Sequence, residues 1–295
     1  MKFRATLIGF TAILMWAFLA TFAAASGKIP PFQLTAMGFA IGSLPGLALM
    51  LARPQRFKAL KQPLKVWVLG IGGLFGYHLS YFSALRSGAP AVEVTLINYL
   101  WPLMIVVGSA LLPGEKLGWH HLVGAAIGLA GTALVVSGGG VAFNPDFLPG
   151  YLFAILSACI WAGYSLLSRR LGAVPTDAVT GFCLVTALLS ALCHVGLETT
   201  VWPETALQWV TLAGLGLLPL GLAFYTWDHG VKNGDIQILG AASYATPILS
   251  ALILILAGYG RADGSLLLAC LLVTGGAVLA SKDMFLRKGR KIAEA

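Results

Sequence analysis

A tyrosine three residues ahead of a proline occurs twice inside long apolar stretches, at Tyr99 with Pro102 and at Tyr244 with Pro247, and the two pairs stand 145 positions apart. The same offset relates Leu7 to Leu152, Trp16 to Trp161, Gly76 to Gly221, Leu122 to Leu267, Gly131 to Gly276 and Leu134 to Leu279. A register kept without net insertion from the start of each half to its end marks an internal duplication, and an apolar duplication of this length points to a carrier built from two related halves. The expected division is a first repeat over 1–137, a glycine-rich and proline-containing linker over 138–148, a second repeat over 149–281 and a basic tail over 282–295.

Hydropathy sets the solvent. With 58% hydrophobic residues, 10% charged residues and a mean hydropathy of +0.86, the chain has too little polar surface for a water-facing globule. Apolar runs at 4–25, 32–52, 66–86, 91–112, 119–137, 149–168, 178–197, 207–228, 236–257 and 264–281 are each close to the ~20 residues that cross a bilayer as helix. A lone lipid-exposed strand would leave backbone groups without partners, and the runs lack the alternation of a membrane barrel. The sequence therefore predicts an all-α integral membrane protein with ten transmembrane helices. Five spans per repeat is an odd number, so the second copy enters the membrane inverted, the arrangement that supports alternating access around a midplane site. Lys2 and Arg4 ahead of an apolar run that ends at Ala23, Ala24 and Ala25 imitate a secretory signal, but the mid-chain counterpart around Trp161 favours a retained first span.

Sixteen of the 19 lysines and arginines fall in the loops and termini on one side, among them Lys2, Arg4, Arg53, Lys65, Lys116, Arg169, Arg170, Lys232 and the tail. Lys28, Arg86 and Arg261 alone lie opposite. The positive-inside bias places both termini in the cytoplasm. The net charge of +8 then follows from topology and attraction to anionic lipid, without a nucleic-acid partner. The expected location is a bacterial inner (plasma) membrane, multi-pass, with a monomer as the working unit.

Several features read as packing or interface. Gly38, Gly42 and Gly46, Gly72 with Gly76, and Gly124 with Gly128 have the spacing that lets helices approach closely. Cys159, Cys183, Cys193 and Cys270 lie within spans without CxxC spacing. His120 with His121, and His194 with Glu198, lack a third ligand, so no metal is expected. Trp67, Trp119, Trp202, Trp209, Tyr151 and Tyr259 sit near span ends, where an aromatic belt forms, and Trp227 lies close to that belt.

The candidate site consists of polar and aromatic residues at mid-span, where burial needs a reason. Tyr77 and Tyr81 share a face of span 3 beside His78, and span 4 carries Asn98, Tyr99 and Trp101. Trp161, Tyr164, Ser243 and Tyr244 are further candidates in the second half, with Trp16, Tyr225 and Trp227 as additional aromatics. Pro102 and Pro247 act as hinges and free the carbonyls of Asn98 and Ser243. Of the eleven carboxylates only Glu93 and Asp228 lie within membrane depth, near opposite ends of their spans and within reach of water. No catalytic pair is available. Proton coupling, if present, would run through Glu93 or His78.

Ten spans in two inverted repeats, a proline in spans 4 and 9, and basic loops on one side resemble the drug/metabolite transporter superfamily, EamA type, over nearly the whole chain. The cluster GYHLSYFSALRSGAPAVEVTLINYLWPL, residues 76–103, is similar to that of YddG-type amino-acid exporters. The resemblance implies a central cavity lined by spans 3, 4, 8 and 9, roles for His78, Tyr81, Tyr99, Trp101, Trp161 and Ser243 or Tyr244, and export of aromatic amino acids without a cofactor.

Such a cargo suits the residues. Tyrosine and tryptophan faces stack rings or attract a cation, worth ~0.5–2 kcal/mol each. No arginine or lysine stands mid-span to hold a carboxylate, so selectivity should be broad across neutral amino acids or similar small metabolites. Another metabolite or drug of the same superfamily is the alternative cargo. An integral-membrane lipid-modifying enzyme would need a cluster of carboxylates, histidines or metal ligands that the sequence does not supply.

Overall fold

The computed structural model describes residues 2–137, 144–257, 264–280 and 282. Most of the linker (138–143), nearly all of the tail, Tyr259, Arg261 and Asp263 lie outside these residues.

The described residues form an all-helical bundle: α1 (Lys2–Ala25), α2 (Pro31–Ala52), α3 (Leu64–Arg86), α4 (Ala91–Leu111), α5 (Trp119–Ser137), α6 (Pro145–Arg170), α7 (Thr176–Leu197), α8 (Ala206–Asn233), α9 (Ile236–Leu256) and α10 (Gly264–Ala280). Eight of them, all but α5 and α10, are long and apolar enough to cross a membrane. The remaining two are apolar helices of 19 and 17 residues that pack along each other. Leu51, Leu64, Val195 and Leu256 are each more than 70% exposed, which fits side chains that face hydrocarbon. The chain is a multi-pass integral membrane protein.

Packing repeats the duplication. Exchanging each helix of the first half for its partner five helices later turns the α1–α8 contact into α6–α3, and α4–α6 into α9–α1. The contacts α2–α7, α4–α9 and α5–α10 map onto themselves. Glycines permit the tightest of these approaches: a Cβ at Gly230 of α8 would lie 2.5 Å from the Gly9 Cα of α1, and one at Gly124 of α5 would lie 2.5 Å from the Gly276 carbonyl of α10. Gly38, Gly42 and Gly46 serve α2 in the same way against α7 and α8. Gly72, expected to do likewise, meets nothing within 4 Å; Gly72 and Gly76 instead bound a π-turn in α3.

The ends of the helices on the N-terminal side are tied by charge. Lys2 reaches Asp235 at 3.2 Å and Glu115 at 3.7 Å, and Arg169 pairs with Glu115 while donating to the carbonyls of Val231 (2.8 Å) and Gly234 (2.9 Å). At the other end Glu198 accepts from the amides of Phe32 (3.0 Å) and Gln33 (3.1 Å) and contacts His194 at 3.0 Å. It thereby caps the first turn of α2, so this pair has a structural task.

Trp119, Trp202 and Trp209 are exposed at helix ends as a belt requires. Three other expected belt members turn inward. Tyr151 is buried and donates to Glu93, Trp67 packs edge-on to Phe182, and Trp227 is fully buried with its indole donating to Ser165 at 3.1 Å.

Candidate functional site

Four irregularities in the helices shape the centre of the bundle. α4 breaks at Tyr99, between Asn98 and Leu100, and α9 breaks at Ser243 and Tyr244. α3 contains a π-turn at Gly72–Gly76 and α8 contains one at Leu218–Leu222. Both kinds of irregularity occur at matching places in the two repeats. A π-turn carries an extra residue and leaves a carbonyl available to a side chain, a feature frequent at functional sites. Leu74 O accepts from His78 Nδ1 at 2.7 Å, and Pro219 O accepts from Trp16 Nε1 at 3.1 Å. These two carbonyls are 145 residues apart.

Between these irregularities lies a cavity of ≈ 440 Å³. Trp16 and Ala23 of α1, Tyr77, His78 and Tyr81 of α3, Asn98, Tyr99 and Trp101 of α4, Trp161 of α6, Phe224 of α8, and Thr246 and Ser250 of α9 contribute to its wall. Among the described residues, no lysine, arginine, aspartate or glutamate lines it. Its floor is a tryptophan cluster. Trp16 contacts Trp101, Trp161 and Trp227 with ring centroids 6.4, 5.6 and 5.1 Å away, and Phe224 closes the group at 6.0 Å from Trp16. Edge-to-face contacts of this kind add ~0.5–1.5 kcal/mol each beyond burial. Tyr77 and Tyr81 form one wall as parallel rings 6.1 Å apart.

Polar groups in the wall are ordered by hydrogen bonds. Ser157 donates to Asn98 Oδ1 at 2.7 Å, and Asn98 Nδ2 donates to the Tyr77 hydroxyl at 3.1 Å, so the Tyr77 hydrogen remains available to a guest. Tyr81 and Thr95 share a hydrogen bond of 3.1 Å. Because Leu74 O can only accept, His78 Nδ1 carries the hydrogen, and Nε2 has no partner among the described residues.

Seven of the ten substrate-site residues expected from sequence stand in this wall: Tyr77, His78, Tyr81, Asn98, Tyr99, Trp101 and Trp161. Three do not. Tyr164 is buried behind Trp161, stacked on it at 5.3 Å. Ser243 is fully buried and donates to Leu239 O at 2.8 Å; its carbonyl, expected to be free, accepts from the Thr246 amide at 3.1 Å. Tyr244 is fully buried and its hydroxyl accepts from the Leu103 amide at 3.1 Å, which clasps α9 to α4 beside Pro102. Phe224, Thr246 and Ser250 are wall residues that the sequence did not single out; Thr246 and Ser250 had the signal of lying within one turn of Pro247, and Phe224 had none.

Glu93 and Asp228 are both removed from water, contrary to the expectation that each reaches it. Glu93 is 6% exposed and bonded to Tyr151, and Asp228 is 1% exposed between Lys232 at 2.8 Å and Thr176 at 2.7 Å. Neither lines the cavity. Pro102 and Pro247 are both buried just past the breaks.

Known proteins share this organisation. The EamA-like transporter family matches residues 3–137 and again residues 148–282. The chain is 53% identical over 279 residues to the aromatic amino acid exporter YddG of Ancylobacter novellus, covering 94% of this chain and 96% of that protein. It is 31% identical to the exporter of the same name from Salmonella typhimurium, over 84% of this chain and 86% of the relative. A crystal structure at 51% identity superposes with a TM-score of 0.90, covering 95% of this chain and 98% of the other. The chain therefore belongs to the EamA-like transporter family.

Proposed function

We propose that this protein exports amino acids, aromatic and other neutral ones, from the cytoplasm by alternating access around the central cavity. The observation that carries the reading is the wall itself: a space of ≈ 440 Å³ bounded by tyrosine and tryptophan rings and, among the described residues, lacking any carboxylate or strong base. That volume lies in the ~300–1,000 Å³ range of small-molecule sites. Ring faces accept an aromatic side chain and attract the ammonium, while Tyr77 and the indoles offer donors to a carboxylate. Identity of 53% to a protein named as an aromatic amino acid exporter supports the same cargo class.

Ten spans and the bias of basic residues support the orientation. With the termini cytoplasmic, the Lys2, Glu115, Arg169 and Asp235 cluster closes the inner side. The cavity draws on the later parts of α1, α3 and α9 and the early part of α4, which lie in the outer half. The state is then outward-facing. The two repeats exchange roles during the cycle, with α4 and α9 bending at Tyr99–Pro102 and Tyr244–Pro247. The site lies in the bacterial inner membrane, a monomer is the working unit, and the basic inner loops meet anionic lipid.

The test is counterflow in proteoliposomes. Labelled phenylalanine should accumulate against unlabelled phenylalanine loaded inside, saturably. Flux that neither saturates nor responds to the trans-side amino acid would remove the carrier.

A further inference from the structure

The two repeats break their symmetry at the cavity floor. In the second repeat the π-turn carbonyl of Pro219 is occupied by the indole N–H of Trp16, at 3.1 Å. Applying the 145-residue offset, the counterpart of this contact would join Trp161 to Leu74 O. Both lone pairs of that carbonyl are already taken, because the Tyr77 amide and His78 Nδ1, at 2.7 Å, each donate to it, and the position matching His78 in the second half is Ala223, whose side chain has nothing to donate. The Trp161 indole N–H consequently has no acceptor among the described residues, although the side chain is only 4% exposed and that remnant faces the cavity. An indole nitrogen can only donate. A guest group that meets it must accept, and the carboxylate is the strong acceptor of an amino acid.

We propose that Trp161 receives the substrate carboxylate through this N–H, and that His78 is a positioning residue that keeps the N–H free by occupying Leu74 O. The proposal rests on the amino-acid cargo argued above and adds which end of the substrate meets the floor. Trp161 also contacts Tyr77, with centroids 5.8 Å apart, and Tyr77 keeps its own hydrogen available because its oxygen already accepts from Asn98. Two neighbouring rings therefore each keep a donor to spare, which suits the two oxygens of a carboxylate. The ring of the substrate then lies along Tyr77 and Tyr81.

The experiment compares phenylalanine with phenylethylamine, which lacks the carboxylate, as competitors of labelled phenylalanine counterflow. The readout is the ratio of their inhibition constants, which a merely structural defect would leave unmoved. Replacing Trp161 with 3-benzothienylalanine keeps the shape and removes the N–H. It should reduce the preference for phenylalanine about tenfold or more, the scale of one charge-assisted hydrogen bond. His78→Ala, which vacates Leu74 O for the indole, should do the same. His78→Asn places a donor where Nδ1 was and should restore the ratio, whereas His78→Gln, which imitates Nε2, should not. An unchanged ratio with the benzothienyl residue overturns the proposal. Rescue by Gln and not by Asn overturns the positioning role, because His78 would then touch the substrate itself. Absence of both phenylalanine flux and thermal stabilisation by phenylalanine in the unmodified protein overturns the cargo reading along with this inference, a result distinct from flux with an unaltered ratio.

Discussion

Removing the Arg169 side chain should open the inner face. The guanidinium joins three elements at once: it pairs with Glu115 after α4 and donates to the carbonyls of Val231 and Gly234 where α8 meets α9. Arg169 and Glu115 side chains are 18% and 9% exposed, so the pair is mostly screened from water. Breaking a buried pair by deleting one partner costs ~3–5 kcal/mol. Lys2 stays 3.7 Å from Glu115 and offsets part of that loss, leaving roughly 2–3 kcal/mol in the closed state that the open state does not share. At about 1.4 kcal/mol per tenfold, the equilibrium should move toward inward-open by roughly 30- to 150-fold. The assay is modification of a cysteine placed at Ser168, which is 4% exposed beneath the floor, in a chain whose four native cysteines are replaced. Impermeant maleimide from the cytoplasmic side should react at least tenfold faster in Arg169→Ala. Lys2→Ala should change the rate only a few-fold, since Lys2 is 50% exposed and such pairs are worth ~0–1 kcal/mol. Arg169→Lys should fall between, because an ammonium cannot span a carboxylate and two carbonyls as a guanidinium does. Equal labelling rates in Arg169→Ala and the parent would refute the latch.

Trp101→Ala and Tyr99→Ala should each lower amino-acid flux at unchanged membrane expression, measured in proteoliposomes of matched protein content; full activity in both would make these rings packing only. Tyr244→Phe should leave substrate affinity intact but remove the hydrogen bond that joins α9 to the half-buried Leu103 amide, a loss of ~0.5–1.5 kcal/mol read as a lower melting temperature. Pro102→Ala and Pro247→Ala should slow turnover more than they weaken binding, since restoring a backbone donor stiffens each hinge; unchanged flux and unchanged cysteine accessibility in the double variant would leave the prolines as simple kinks.

The sequence carried the duplication and most of the wall because aromatic and amide side chains inside apolar runs stand out against their neighbours. It did not carry the π-turns. Gly72–Gly76 reads GGLFG and Leu218–Leu222 reads LPLGL, two segments that share only the Gly76 and Gly221 match yet reach the same backbone shape. Phe224 escaped notice because an apolar residue in a membrane span looks the same whether it faces lipid, core or cavity. Tyr244 shows how a repeat can mislead. It matches Tyr99 by offset, yet its ring lies on Gly128 of α5, where a Cβ would come within 2.7 Å of Cδ2. The position matching Gly128 is Val273, which offers no such bed for Tyr99. One small residue thus decides which tyrosine is tucked into the bundle and which reaches the cavity.

Glu93 and Asp228 teach a related point. Counting residues along a span gave their depth but not their partners, and a carboxylate at the end of a helix can be buried as soon as Tyr151 or Lys232 and Thr176 reach it.

The central claim is that the aromatic cavity holds the cargo, and substrate protection tests it most directly. A cysteine at Thr95, in the cavity wall, should react with a small methanethiosulfonate reagent added from outside, and saturating tryptophan or phenylalanine should slow that reaction about tenfold while an acidic amino acid does not. The same rate with and without aromatic amino acid, in a variant that still transports it, would contradict the account.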